Sequence, residues 1–215
     1  MKIGVLALQG AFAEHEKVLE QLGAECIELR QARDLAEPYD ALVLPGGEST
    51  VQGKLLKELG MFDIMKSQIE NGMPVLATCA GAILLAETID GQMKGQPEQY
   101  FGTIPMCIRR NAYGRQLGSF HTEAPVAGIG TVPMTFIRAP YIASVGNGVE
   151  VLAVVEERIV GVKYKNQMAF SFHPELDPDM RIHKTFLSMI RITAHSLRSS
   201  CRSATNFQKT AARKS

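Results

Sequence analysis

Short apolar runs alternate with stretches of helical periodicity through the first half of this 215-residue chain, and glycine punctuates most of the units. Lys2–Leu8 reads as a buried strand, and Glu14–Leu22 as a helix with Val18, Leu19 and Leu22 on one face and Gly23 behind it. Ala24–Leu29 and Ala41–Leu44 read as strands, the latter stopped by Pro45-Gly46-Gly47. Thr50–Leu59 and Phe62–Glu70 carry helical spacing, Met73–Thr78 is a further strand, and Ala80–Glu87 a further helix. Such alternation specifies an α/β fold, a mostly parallel central sheet with helices on both faces.

The second half changes character. Ile104–Arg110, Thr131–Ile137 and Val149–Val155 are short β-like pieces set among Gly and Pro, expected to extend the sheet or to form an antiparallel layer. Ile159–Tyr164 and Met168–Phe172 predict a hairpin around Lys165-Asn166. Met180–Leu197 predicts a closing amphipathic helix with Ile182, Phe186, Met189, Ile190 and Ile192 as its apolar residues. No repeat or linker divides the chain, so one domain is expected over 1–195.

Residues 196–215 differ in composition: they hold five of the 23 Lys and Arg residues and none of the 22 Asp and Glu. The preceding part therefore carries 18 basic against 22 acidic side chains, and bulk charge gives no reason to expect nucleic acid as a partner. The tail is read as a solvated basic extension, disordered or not native to the domain, with no part in the chemistry. No apolar run nears the roughly 20 residues of a membrane span, and the N-terminus reads as a strand, not a signal peptide. Cys26, Cys79, Cys107 and Cys201 form neither a C-x-x-C pair nor a disulfide framework, so a reducing, cytoplasmic setting is expected, with no metal and no cofactor.

Cys79 stands apart from the other cysteines. It occupies the single-residue corner between a strand ending at Thr78 and a helix opening on Ala80-Gly81. Such a corner thrusts its side chain out at the carboxyl edge of an open sheet, where ligands bind, and with Ser in place of Cys it would be the nucleophile elbow of hydrolases. The bland alternative is a buried cysteine at a strand–helix switch. A base is available in Phe172-His173-Pro174-Glu175, where extended backbone puts His173 and Glu175 on one face. Cys, His and an acidic orienter from separate segments are what nucleophilic catalysis needs. Among the other histidines, His121 is a second candidate, His15 reads as a solvated partner of Glu14 and Glu16, and His183 and His195 lie on the last helix.

Leu44-Pro-Gly46-Gly47-Glu48-Ser49-Thr50 leads a strand through two glycines into a helix. A backbone N–H there, with that of Ala80, would make an oxyanion hole. The rival phosphate-loop reading lacks both the Walker spacing and G-x-G-x-x-G, and a plain turn with Ser49 as helix cap is the third reading.

Pro-Gly-Gly-Glu-Ser-Thr, Thr-Cys-Ala-Gly and Ser-Phe-His-Pro-Glu-Leu, in that order, resemble the class I (triad) glutamine amidotransferases. Leu6–His15, Arg110–Gln116 and Phe136–Pro140 resemble one branch of that family, the glutaminase subunits of two-protein pyridoxal 5′-phosphate synthases. The likeness runs from Met1 to about Ala194. It implies a flavodoxin-like three-layer fold and L-glutamine as substrate. By the resemblance Cys79 is the nucleophile, His173 the acid and base, and Glu175 its orienter, with the oxyanion held by Gly47 and Ala80. Gly47, Glu48, Ser49, Arg110, Ile137 and Arg138 would bind glutamine, and ammonia would pass to a lyase subunit in a hetero-oligomer. Gln9-Gly10 falls in a segment implicated in activation by that subunit. Ala77 stands where this branch commonly has Gly, and Ala82 where a larger aliphatic is frequent. The rival readings are a glutaminase feeding another synthase (histidine biosynthesis, for example), a non-catalytic regulatory module, and a cysteine hydrolase of another substrate.

Overall fold

The computed structural model describes residues 1–91, 100–110 and 119–193. The basic tail, His195, Cys201 and most of the Arg110–Gln116 motif lie outside the described residues. Four apolar runs become β1 (Lys2–Leu6), β2 (Glu25–Leu29), β3 (Ala41–Leu44) and β4 (Val75–Thr78). The periodic segments between them become α1 (Phe12–Gln21), α2 (Ser49–Glu58) and α3 (Phe62–Glu70), and α4 (Ala80–Leu85) follows β4.

Later strands are β5 (Ala86–Asp90), β6 (Ile104–Arg109), β7 (Ser119–Val126), β8 (Gly130–Ile137), β9 (Tyr141–Val145), β10 (Glu150–Val155), β11 (Arg158–Tyr164) and β12 (Gln167–Phe170). A closing helix, α5, occupies 181–193. The main sheet runs β2-β1-β3-β4-β12-β11-β9-β6-β5, with β10 also paired to β11. Its β2-β1-β3-β4-β12 half is wholly parallel and has the flavodoxin-like order. β7 and β8 form a separate antiparallel ribbon.

Both faces of the sheet are buried, and the period-two geometry of strands shows in how neighbours divide between them. Ile3, Val5, Ala41, Val43 and Leu76 pack with Leu19 of α1, Ile182, Phe186 and Ile190 of α5, and Met134 and Phe136 of the ribbon. Leu6, Leu42, Leu44, Val75 and Ala77 pack on the other face with Leu56, Met65, Ile69 and Leu84 of α2, α3 and α4. Ala77 and Ala82, the two departures from the branch pattern, are both buried in this second layer.

Three expectations need correction. The helix predicted over Ala80–Glu87 ends at Leu85, because Ala86 turns extended (φ −68°, ψ 138°) and β5 pairs in parallel with β6. Helical spacing within the segment carries no information about that partner. Ile192 does not join the buried stripe of α5 and is exposed. His15, read as solvated, is fully buried.

The helix–sheet contact is closest at Gly81, where a Cβ would lie 2.0 Å from the Leu44 carbonyl oxygen. Gly81→Ala must push α4 off β3, and overpacking of this kind costs about 1–3 kcal/mol. Denaturant unfolding should show that loss, and an unchanged midpoint would contradict the packing described.

Candidate active site

The site begins where β4 ends. Cys79 takes φ 47° and ψ −102°, a conformation unfavourable for a residue with a Cβ, at a cost of about 1–3 kcal/mol. Its N–H donates to the Phe170 carbonyl at 2.8 Å, continuing the β4–β12 ladder one step past the strand. The chain then enters α4 at Ala80, whose N–H is among those a helix leaves without an internal acceptor.

β12 supplies the second group. Beyond Phe170 the chain runs on to Phe172, packed between Phe136 and Phe170 at ring distances of 5.7 and 5.2 Å. The His173 N–H donates to the Thr135 carbonyl at 2.9 Å, so ribbon strand β8 fixes the height of the imidazole. Pro174 opens a short 3₁₀ turn, Pro174–Leu176. It brings Glu175 Oε1 to 2.7 Å from His173 Nδ1, with both side chains buried. Gly46 forms the floor beneath the pair: a Cβ there would lie 2.2 Å from His173 Cε1 and 3.3 Å from Cys79 Cβ.

Burial disfavours charge on His173, but hydrogen bonds from the ring to Cys79 and Glu175, and the charges of both, outweigh it and raise its pKa to about 10. Burial would likewise push Glu175 up. His15 and the hydrogen bond and charge of His173 overcome that, and hold the carboxyl below the usual range. Both shifts favour protonation of His173 and ionisation of Glu175, beside the sulfur.

Cys79, itself 7% exposed, opens onto a cleft of about 140 Å³. Gly47, Glu48, Ser49, Arg110, Ile137 and Arg138 all line it, together with Ile83 and Pro140. Every residue expected to bind substrate is therefore brought to one place. The glycine loop is braced by the turn after β1: the Glu48 N–H donates to Gln9 Oε1 at 2.7 Å, and Gln52 Nε2 to the Gln9 carbonyl at 2.8 Å. Ile137 and Arg138 arrive from the end of β8, and Arg138 pairs with Glu48 across the cleft at 3.2 Å.

Residues 5–192 match the family model described as the SNO glutamine amidotransferase family. The chain belongs to the SNO glutamine amidotransferase family. It is 60% identical over 190 residues, 88% of this chain and 94% of the relative, to "Pyridoxal 5′-phosphate synthase subunit PdxT" of Desulfitobacterium hafniense (strain Y51). It is 54% identical over 194 residues, 89% of this chain and 98% of the relative, to the protein of that name from Streptococcus pneumoniae serotype 2 (strain D39 / NCTC 7466). A solved structure titled "Crystal structure of glutamine amidotransferase" superposes with a TM-score of 0.81 at 43% identity, covering 87% of this chain and 98% of that one.

Among the described residues of this SNO-family chain no other histidine or cysteine lines the cleft. His121 sits on exposed β7, its Nδ1 3.0 Å from Thr135 Oγ1, and does not line the cleft. Cys26 is half-buried, and burial with the charges of Glu16 and Glu20 pushes its thiol up to about 12, which makes it unreactive. Among the described residues no group of three or more His, Cys, Asp or Glu is arranged to hold a metal ion, and no helix is long and apolar enough to cross a membrane.

Sequence reasoning missed His15 and His183, which are buried directly behind Glu175. The signal was present. His15, Val18, Leu19 and Leu22 are spaced i, i+3, i+4, i+7, so His15 belongs to the face of α1 that turns inward.

Because Cys79 helps to hold the proton on His173, Cys79→Ala should lower the imidazole pKa from about 10. A ring-resonance NMR titration checks this, and an unchanged value would show that the two groups do not interact. The stability linked to this proton is full below the unfolded histidine pKa of about 6.5. It is lost as pH rises through about 10. The variant should lose it at lower pH.

Proposed function

We propose that the chain hydrolyses L-glutamine to L-glutamate and ammonia through a thioester on Cys79, as the glutaminase subunit of a pyridoxal 5′-phosphate synthase. The observation that carries the reading is the hydrogen bond of His173, held by Glu175, to a Cys79 that lines a cleft with both a carboxylate and guanidinium groups. Glu48 and Arg138, now paired with each other, present one charge of each sign. The α-ammonium and α-carboxylate of glutamine complement them through charge-assisted hydrogen bonds.

In the reaction the Cys79 sulfur, its proton passed to His173, attacks the side-chain amide carbon. Negative charge collects on the amide oxygen, where the N–H groups of Gly47 and Ala80 receive it. The C–N bond breaks as His173 protonates the departing nitrogen, releasing ammonia and leaving a γ-glutamyl thioester. His173, now neutral, takes a proton from water as it attacks the thioester carbonyl, and collapse frees glutamate and restores the sulfur. Glu175 holds the imidazole in place and stabilises its charged form throughout.

The pyridoxal 5′-phosphate synthase assignment draws on relatives bearing that name across nearly their whole length. Those relatives are named as synthase subunits; in this reading the chain works as one subunit of a larger synthase, in the cytoplasm, delivering ammonia to a lyase subunit. The catalytic domain is assigned to residues 1–195, in keeping with a family match that stops at residue 192, and 196–215 lie outside it.

The test is glutamate release by the chain mixed with its lyase partner. Cys79→Ala should lower the rate by about 10⁴-fold or more, as loss of a triad nucleophile does; wild-type turnover in that variant would refute the mechanism. Arg138→Ala should raise KM for glutamine more than it lowers kcat, since it removes a contact to the unreacting end of the substrate.

A further inference from the structure

Behind the triad lies a second set of polar groups that the mechanism does not use. His15 of α1 is fully buried, with Nε2 3.3 Å from Glu175 Oε2 and 3.0 Å from Thr78 Oγ1. On its other side, Nδ1 is 3.0 Å from Nε2 of His183, which is also fully buried, on α5. Glu175 Oε1 is taken up by His173. Among the described residues Oε2 makes no hydrogen bond; its near neighbour is His15 Nε2, which is itself bonded to Thr78 Oγ1.

We infer that His15 is a positioning residue for this site: it carries its proton on Nε2, gives that N–H to Thr78 Oγ1, and sets the positive end of the dipole 3.3 Å from Glu175 Oε2, so that it steadies the carboxylate whose other oxygen holds His173. The inference rests on the glutaminase reading, in which Glu175 orients His173. His183 sets the tautomer by donating from its own Nε2 to His15 Nδ1.

The alternative tautomer is disfavoured by what it would leave buried. With the proton on His15 Nδ1, that atom would donate to His183 Nε2, and the His183 proton would move to Nδ1. His183 Nδ1 has no partner among the described residues, so an N–H donor would be stranded there. At the same time the lone pair of His15 Nε2 would face a buried carboxylate oxygen at 3.3 Å. In the inferred tautomer the unpartnered atom at His183 is a neutral acceptor, and the buried carboxylate oxygen faces the positive end of an N–H and not a lone pair. An unmet buried charge is the costlier of the two defects.

The Thr78 hydroxyl fits the same arrangement. It accepts from the Gly46 N–H at 3.1 Å and has a second lone pair for His15. Through Thr78, His15 is therefore linked to Gly46, whose neighbour Gly47 lines the cleft. Burial keeps His15 neutral, against the attraction of Glu175 and with the opposing charge of His173; Glu14, on its own helix, adds a small pull the other way. Burial, reinforced by the neighbouring His15, pushes His183 down to about 3, with Glu175 opposing. Burial thus favours the neutral form of both rings, which act through fixed N–H dipoles.

The experiment compares wild type, Cys79→Ala, His15→Gln and His15→Leu, each mixed with the lyase partner, by the pH profile of kcat and KM. A glutamine amide places an N–H close to where His15 Nε2–H lies, and leucine fills the space without a donor. Leucine should lower kcat about 10- to 100-fold with little change in KM, the usual scale for an outer partner. It should also move the acid limb of the profile to higher pH, because a carboxylate without the positive end of that dipole beside it is protonated more readily. Glutamine should restore both to near wild type.

Folding of each variant is checked by circular dichroism. Should His15→Leu not fold, ¹⁵N-histidine NMR of the wild-type chain decides alone: both His15 and His183 should be protonated on Nε2 only, without change from about pH 6 to about pH 9. A folded leucine variant with wild-type kcat and acid limb would overturn the inference. So would equal loss in the glutamine and leucine variants, or a proton on His15 Nδ1. If Cys79→Ala matched wild type in glutamate release, the glutaminase reading itself would fall, and the NMR result would still report on the tautomers.

Discussion

The parallel pairing of β4 with β12 brings Cys79 and His173 together, although 94 positions separate them in the chain. The ladder sets Thr78 opposite Phe170 and ends with the Cys79 N–H on the Phe170 carbonyl. From that last rung each strand has only a short way to go: β4 turns at once into α4, and β12 runs three residues further to the imidazole. A register slip of one residue would turn every β12 side chain to the opposite face. It would bury Ala169 where Phe170 now packs, and carry His173 away from the sulfur. The apolar alternation of Met168, Ala169 and Phe170 between the two cores thus guards the geometry of the site.

The close approach of charged groups in the site is possible because each is met. A buried carboxylate and imidazole would each be costly alone, and removal of one partner from a buried pair typically costs about 3–5 kcal/mol. Glu175 is contacted from two sides, by His173 at 2.7 Å and His15 at 3.3 Å. Strain at Cys79 and the missing side chain at Gly46 serve the same end. The first lifts the sulfur into the cleft, and the second lets the imidazole descend to it.

Much of this was legible in the sequence because its signals are local. A strand-to-helix corner with one residue at the bend, an i, i+2 pair in extended backbone and two glycines before a helix each occupy a few consecutive positions. β3 and α3 came out with the predicted limits for the same reason. What escaped depends on partners distant in sequence. β5 exists because β6 lies beside it, and its own residues carry helical spacing with the preceding segment. β9 lies between β6 and β11, and its burial pattern is irregular. The role of β7 and β8 in delivering Ile137 and Arg138 to the cleft follows only from the packing of the ribbon against the His173 turn. His15 was hidden differently: its flanking glutamates outweighed the helical spacing that should have placed it inside.

The central claim is that Cys79 is the reactive sulfur of a glutamine-shaped cleft. Treatment of the chain and its lyase partner with a glutamine-like diazo-ketone, followed by peptide mass spectrometry, tests this most directly. The account predicts one adduct, on Cys79, formed more slowly when glutamine is present. An adduct on Cys26 or Cys107 with Cys79 unmodified, or labelling that glutamine does not slow, would contradict it.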